Sequence, residues 1–263
     1  MLEIIILAIL GSAIAGLWDL KTTEVPDPLP IGMVVVGIGY WVVNYFITTD
    51  SYSLIVSLAV GTALLAAGLL LYKRGQWGGA DAWILAAIGY MIPVYAGQIF
   101  IVPYIFNFMI VSIVYTVVYS VVIGMMHPSV FAHVKKDFAA NWKILTGIPA
   151  ATVIAVLAIS LIAPPAINLA SGMVPLVILL VLFWRYALVI EKHVFRRKIL
   201  SSKLKVGDVL EKGNWVGLTE KQISKIKREK RFVVIKDGMR FVPVFPITLL
   251  ITLLYGNLFF TLL

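Results

Sequence analysis

Long apolar runs without alternation set the first limit on what this chain can fold into. "IIILAILGSAIAGL" near the N-terminus and "LIVSLAVGTALLAAGLLL" from residue 54 show none of the apolar/polar alternation of a membrane strand. Runs of about 17 to 24 residues recur along the sequence, and at ~1.5 Å per residue each is long enough as a helix to cross most of a ~30 Å hydrocarbon layer. Of the 263 residues, 61% are hydrophobic and only 13% charged, outside the range of water-soluble domains. The fold class expected is therefore all-α, a polytopic transmembrane helix bundle of about eight spans. They fall at residues 2–18, 29–47, 54–72, 82–98, 103–126, 147–163, 173–190 and 243–263. Pro93, Gly97 and Pro103 interrupt the pattern between the fourth and fifth, and "APPAINLASG" joins the sixth to the seventh. The first run reads as a retained helix, not a signal peptide, because its basic residue follows the apolar stretch.

Lys and Arg accumulate in cytoplasmic loops. Lys21, Lys73, Arg74, Lys135, Lys136 and Lys143 lie at junctions leading from an odd span to an even one, Arg185 lies in the inner end of the seventh span, and the remaining fifteen basic residues fall within 191–242, the junction that follows it. This predicts both termini outside, four loops inside, and a multi-pass protein of the cell membrane. Residues 191–242 hold 15 Lys and Arg against 6 Asp and Glu, so this stretch carries all of the net charge of +9. Three regions follow: a core at 1–190, a small basic cytoplasmic α+β insert at 191–242, and a last helix at 243–263. Within the insert, "LTEKQISKIKREK" reads as a basic helix opened by a Thr cap and "RFVVIKDGMRFVPV" as a hairpin turning at Asp237 and Gly238. The insert's charge suits anionic lipid headgroups, with substrate guidance as the other reading. Nothing in the pattern points to nucleic acid.

Thirteen acids are available. Glu3 and Asp50 fall outside, while Asp137 and the six acids of the insert lie among Lys and Arg, where solvated pairing is expected. Asp19, Glu24, Asp27 and Asp81 remain. Asp19 ends the first span and Asp81 begins the fourth, so both are predicted at one leaflet and at similar depth. Two carboxylates close together at a desolvated edge do not both ionise comfortably, and a pair sharing one proton can act as general base and general acid on a peptide bond. Gly78 and Gly79, just ahead of Asp81, permit close backbone approach or a positive φ. Taken singly, an Asp in the place of Asp81 is more often a helix cap suited to the helix dipole than a catalyst.

The two stretches "GLWDLKTTEVPD" and "GGADAW" together resemble the type IV prepilin peptidase family, and especially its archaeal preflagellin and prepilin peptidase branch, membrane aspartic proteases of the GxGD type. The resemblance implies that Asp19, followed by Val25, Pro26 and Asp27, is the first catalytic Asp, and that Asp81, closing Gly78-Gly79-Ala80-Asp81, is the second. Ala80 stands where the family usually has Gly, and Trp83 where a Lys often follows. "FVPVFPITLLITLLYGN" resembles the final span of archaeal members. The implied substrates are archaellin or pilin precursors with a short basic leader, which Glu24 and Asp27 are placed to attract, cleaved at the cytoplasmic face. No cofactor or metal is implied, and the Cys-rich segment of bacterial members has no counterpart in a chain without Cys.

Two rival readings make different demands. A presenilin-like intramembrane protease would hold its acids inside the spans, and a transporter or scaffold would line an ion path with mid-span acids. Neither pattern occurs. Among the other polar groups, His127 and His133 are six apart, unsuited to an i, i+4 metal pair, and His193 stands alone in sequence. Trp18, Trp77 and Trp83 sit at inner span ends, at the headgroup boundary or shaping a site. Gly61, Ala66 and Gly68 suit close helix packing, while Asn107 and Arg185 are placed to tie helices together or face a cavity.

Overall fold

The computed structural model describes residues 1–162, 167–211 and 217–258. The protein is an all-α polytopic membrane protein. Among the described residues, six helices are long and apolar enough to cross a bilayer: α1 (Leu2–Thr22), α2 (Pro28–Thr48), α3 (Ser51–Lys73), α5 (Ile101–Met126), α7 (Trp142–Ile162) and α8 (Ile167–His193), the last through Ser171–His193. Two of the eight expected spans contain shorter helices. Of the eighth, the described part is α10 (Val244–Tyr255), and residues 259–263 lie outside the description.

The fourth is α4 (Gly79–Met91), which stops well before the expected residue 98. Thirteen residues rise only about 20 Å, short of a ~30 Å hydrocarbon layer. Beyond it, Pro93 has no N–H to give, and the chain folds into a hairpin in which β1 (Val94–Tyr95) pairs with β2 (Gln98–Ile99). Ala96 and Gly97 turn it with φ of 49° and 78°, the positive values a two-residue turn requires. Hydropathy alone does not separate this hairpin from a continuing helix.

Two compact units are present. The first comprises Met1–Tyr115, Lys205–Ile226 and Gly238–Leu263. Its centre is α4, buried along almost its whole length from Asp81 to Met91 and flanked by α2 and α3. Gly61 and Gly68 on α3 permit the approach: a Cβ on Gly68 would sit 2.8 Å from Cα and Cβ of Ala82, and one on Gly61 would strike the Tyr90 ring. The expected packing role is thus observed at Gly61 and Gly68, whereas Ala66 is exposed. A helix that ends inside protein leaves carbonyls that water cannot reach, and two side chains replace the water. Ser57 donates to the Tyr90 carbonyl at 2.7 Å and Trp41 Nε1 to that of Met91 at 3.2 Å.

The same device closes α10. Asn107 Nδ2 donates to the Gly256 carbonyl (2.6 Å) and to Thr252 Oγ1 (2.9 Å), and its Oδ1 accepts the Leu258 N–H (2.9 Å). Asn107 thus ties helices together, as its position inside a span suggested. Gly16 on α1 lies against Pro243, where a Cβ would be 3.2 Å from the proline Cα.

The second unit comprises Thr116–Leu204 and Lys227–Asp237. Here α6 (Ser129–Ala140), a short amphipathic helix in the expected loop, packs on α8. Asp137 is not merely solvated among lysines: Arg185 grips it with two bonds, Nε to Oδ2 at 3.0 Å and Nη2 to Oδ1 at 2.6 Å. His193 is not alone either, for its ring stacks on that of His133 at 3.9 Å between centroids.

The expected hairpin at Asp237 and Gly238 does not form. Instead β4 (Phe232–Lys236) pairs antiparallel with β3 (Arg196–Leu200), with Leu200 opposite Phe232 and Arg196 opposite Lys236. Asp237 is then held by its N–H on the Phe195 carbonyl (2.7 Å) and by an ion pair to Arg197 (2.5 Å). The five paired positions of this ladder lie more than thirty residues apart in sequence, so local turn residues do not reveal the partner.

The expected basic helix is present as α9 (Glu220–Glu229), and Thr219 ahead of it donates its N–H to Gln222 Oε1 at 2.8 Å, half of a capping box.

Packing at Gly68 gives a direct test. Gly68→Ala is expected to lower the melting temperature in detergent, corresponding to about 1–3 kcal/mol of overpacking. Gly39→Ala, where a Cβ meets nothing within 4 Å, should not. Equal effects at the two sites would refute the close α3–α4 contact.

Candidate active site

All the residues of the candidate site belong to the first unit. Asp19 sits on the last turn of α1, one helical turn before the chain leaves the helix at Thr23, which adopts φ 63° and donates its N–H to the Asp19 carbonyl (2.8 Å). The side chain is buried, 5% exposed, and its Oδ2 accepts the N–H of Val242 at 3.1 Å. Val242 lies just ahead of α10, so the first helix and the last meet at this carboxylate. Arg240, two residues earlier, is within electrostatic reach of Asp19.

Asp81 occupies the first turn of α4 and is 7% exposed. Its Oδ2 accepts the N–H of Gly78 at 2.9 Å, so the cap expected for an Asp at a helix start is formed. The cap and the pair are not alternatives, because Asp19 is also within electrostatic reach of Asp81. The packing of α1 against α4 brings together two carboxylates 62 positions apart in sequence.

The glycines ahead of Asp81 work by space, not by left-handed backbone. Gly78 has φ −74°, and positive φ occurs one turn earlier, at Gly75. A Cβ on Gly78 would stand 3.0 Å from Asp81 Oδ2 and crowd the cap. Gly79 begins the helix, and Ala80 packs its methyl against the apolar core, a use for a side chain at that position. Trp77 also turns inward, its ring 5.9 Å from that of Phe108 and 6.3 Å from that of Phe245, whereas Trp18 remains half exposed.

Glu24 and Asp27 are exposed, on either side of the buried Val25. Asp27 precedes α2 and its side chain makes no capping bond. Glu24 has a neighbour that its sequence context did not announce. The backbone at Gly207, held in a turn by the bonds Gly207 N–H to Leu218 O (3.1 Å) and Leu218 N–H to Asp208 O (2.9 Å), lies against the Glu24 carboxylate. Gly207 has φ 96°, and any side chain there would collide with Glu24.

Sequence reasoning missed Val242 and Arg240 as partners of Asp19. They lie more than 220 residues away, and a peptide N–H leaves no mark in composition. Among the described residues, no cluster of three or more His, Asp or Glu that could hold a metal ion occurs.

Two comparisons with known proteins give matches over part of the chain. Residues 5–128, a little under half of the chain, match the Type IV leader peptidase family, and they contain Asp19, Glu24, Asp27 and Asp81. The chain is also similar to a preflagellin peptidase of Methanococcus voltae, 32% identical over 94 residues. That match takes in 36% of this chain and 40% of the relative, so less than half of either protein is compared. No solved structure matches.

The capping role of Asp81 separates two substitutions. Asp81→Asn keeps an oxygen for the Gly78 N–H and is expected to melt within about 0.5 kcal/mol of the parent in detergent, whereas Asp81→Ala should lose about 1 kcal/mol. Identical melting of the two variants would show that the cap contributes nothing.

Proposed function

We propose, on the premise that the chain belongs through residues 5–128 to the type IV leader peptidase family, that it is a membrane aspartic endopeptidase. Its substrates are archaellin or type IV pilin-like precursors, from which it removes a short basic leader at the cytoplasmic face of the cell membrane. The observation that carries the reading is the pair of buried carboxylates, Asp19 and Asp81, brought within electrostatic reach of each other at the ends of two helices.

The chemistry follows from sharing one proton. The ionised carboxylate takes a proton from water as the water oxygen bonds to the scissile carbonyl carbon, and the protonated carboxylate hydrogen-bonds the carbonyl oxygen. When the tetrahedral intermediate collapses and the C–N bond breaks, the acid's proton goes to the departing nitrogen. The proton taken from water refills the pair. One peptide bond and one water yield a carboxyl group and an amine, with no cofactor or metal required.

A precursor of this kind has an apolar helix directly after its leader. That helix can stay in lipid while the bond at its end meets the carboxylates at the rim of the helix bundle. Glu24 and Asp27, exposed and five and eight residues after Asp19 in sequence, are suited to a basic leader, and the basic residues of 191–242 suit anionic headgroups. The accumulation of Lys and Arg at the same ends of the helices supports the cytoplasmic face.

Incubation of the detergent-purified protein with a precursor pilin should give a shortened product. Asp19→Asn and Asp81→Asn are each expected to reduce cleavage at least a thousandfold while leaving the protein inserted and monodisperse; near-normal cleavage by either variant would remove the pair from the mechanism. EDTA should leave the rate unchanged, and loss of activity restored by one metal would replace the proposed chemistry. Glu24→Gln combined with Asp27→Asn should raise KM for the basic leader several-fold with kcat little altered.

A further inference from the structure

Arg240 stands on the short strap that joins the basic region to α10. The strap is fixed at the arginine's own carbonyl and again two residues on. Tyr115 donates its hydroxyl to the Arg240 carbonyl at 2.5 Å, and two residues on, the Val242 N–H donates to Asp19 Oδ2 at 3.1 Å. The Arg240 Nε is buried and has no hydrogen-bond partner among the described residues. A guanidinium stays charged under all ordinary conditions, and a cation with a dry, unsatisfied N–H is costly unless negative charge lies near. The groups that face Asp19 are Arg240 and the Val242 N–H from the strap and Asp81 from α4. Asp81, by contrast, has one peptide N–H, that of Gly78, as its hydrogen-bond donor.

Building on the peptidase reading, we infer that Arg240 is a positioning residue that gives the two carboxylates different duties. The pair holds one negative charge and one proton. With a cation and a peptide N–H both on its side, Asp19 keeps the charge and serves as the base toward water, and Asp81 keeps the proton and serves as the acid toward the scissile carbonyl. Arg240 touches neither water nor substrate in this scheme and acts through Asp19. The Tyr115 hydroxyl on the Arg240 carbonyl holds the backbone of this residue in place between the basic region and the last helix.

The test compares the parent, Arg240→Gln and Arg240→Lys for kcat/KM against pH on a precursor pilin, after size-exclusion chromatography confirms that each is folded. Without the cation, Asp19 should protonate more readily. Arg240→Gln is therefore expected to move the acidic limb upward by about one pH unit or more, with KM little changed, and Arg240→Lys to return it most of the way. A limb that stays in place, or a shift confined to the alkaline limb, would overturn the assignment. A second measurement does not depend on cleavage. In an Asp81→Asn background with 13C-labelled aspartate, the Asp19 carboxyl resonance, assigned by its absence from Asp19→Asn, should titrate at higher pH when Arg240→Gln is added. An unmoved resonance would overturn the proposal even if Arg240→Gln lowers activity. If the parent cleaves no precursor, the peptidase reading fails, and this titration still decides whether Arg240 governs Asp19.

Discussion

A carboxylate among apolar helices persists only where the protein replaces the water it has lost, and the arrangement around Asp19 follows from that requirement. The donors cannot come from its own helix, whose N–H groups in the last turns are already engaged. They come from the strap before α10, so the first and last helices of the unit must meet at the depth of Asp19. The contact of Gly16 with Pro243 is the packing counterpart of that meeting, one turn earlier on α1. The position of α10 and the state of a single side chain are in this sense one property.

Backbone polarity imposes the same rule on α4 and α10. Helices that stop within protein would leave carbonyls stranded, and Ser57, Trp41 and Asn107 each supply donors at such an end. These residues sit in otherwise apolar stretches. Their cost in hydrophobicity is offset because each meets a group that lipid could not have served.

The sequence made legible what depends on local chemistry. Run lengths pointed to eight spans, six of which match helices long and apolar enough to cross a membrane, the Gly-Gly step marked the start of α4, and the Asp19 and Asp81 stretches pointed to a single site. What it left hidden depends on partners remote in the chain. The pattern 82–98 is apolar throughout, so only the paired backbone of Val94 with Ile99 reveals that α4 ends at Met91. The strand at Phe232–Lys236 has turn residues directly after it, yet its partner was the more distant Arg196–Leu200. Val242 contributes a peptide N–H, which every residue but proline possesses, and so no inspection of residue types could have singled it out. His133 and His193 share a stack across sixty residues for the same reason.

The way α4 is fastened has a mechanical consequence. Its far end is pinned at Tyr90 and Met91 and its flank is lodged against two glycines of α3, so it has little freedom to slide or spin. The distance from that anchorage to Asp81 is a fixed number of helical steps, each contributing about 1.5 Å of rise and 100° of rotation. The helix thus serves as a measuring rod whose length decides both the depth and the azimuth of the acid at its tip. Evolution can exchange apolar side chains along this rod with some freedom, but adding or deleting one residue would swing the carboxylate about a quarter-turn away from Asp19.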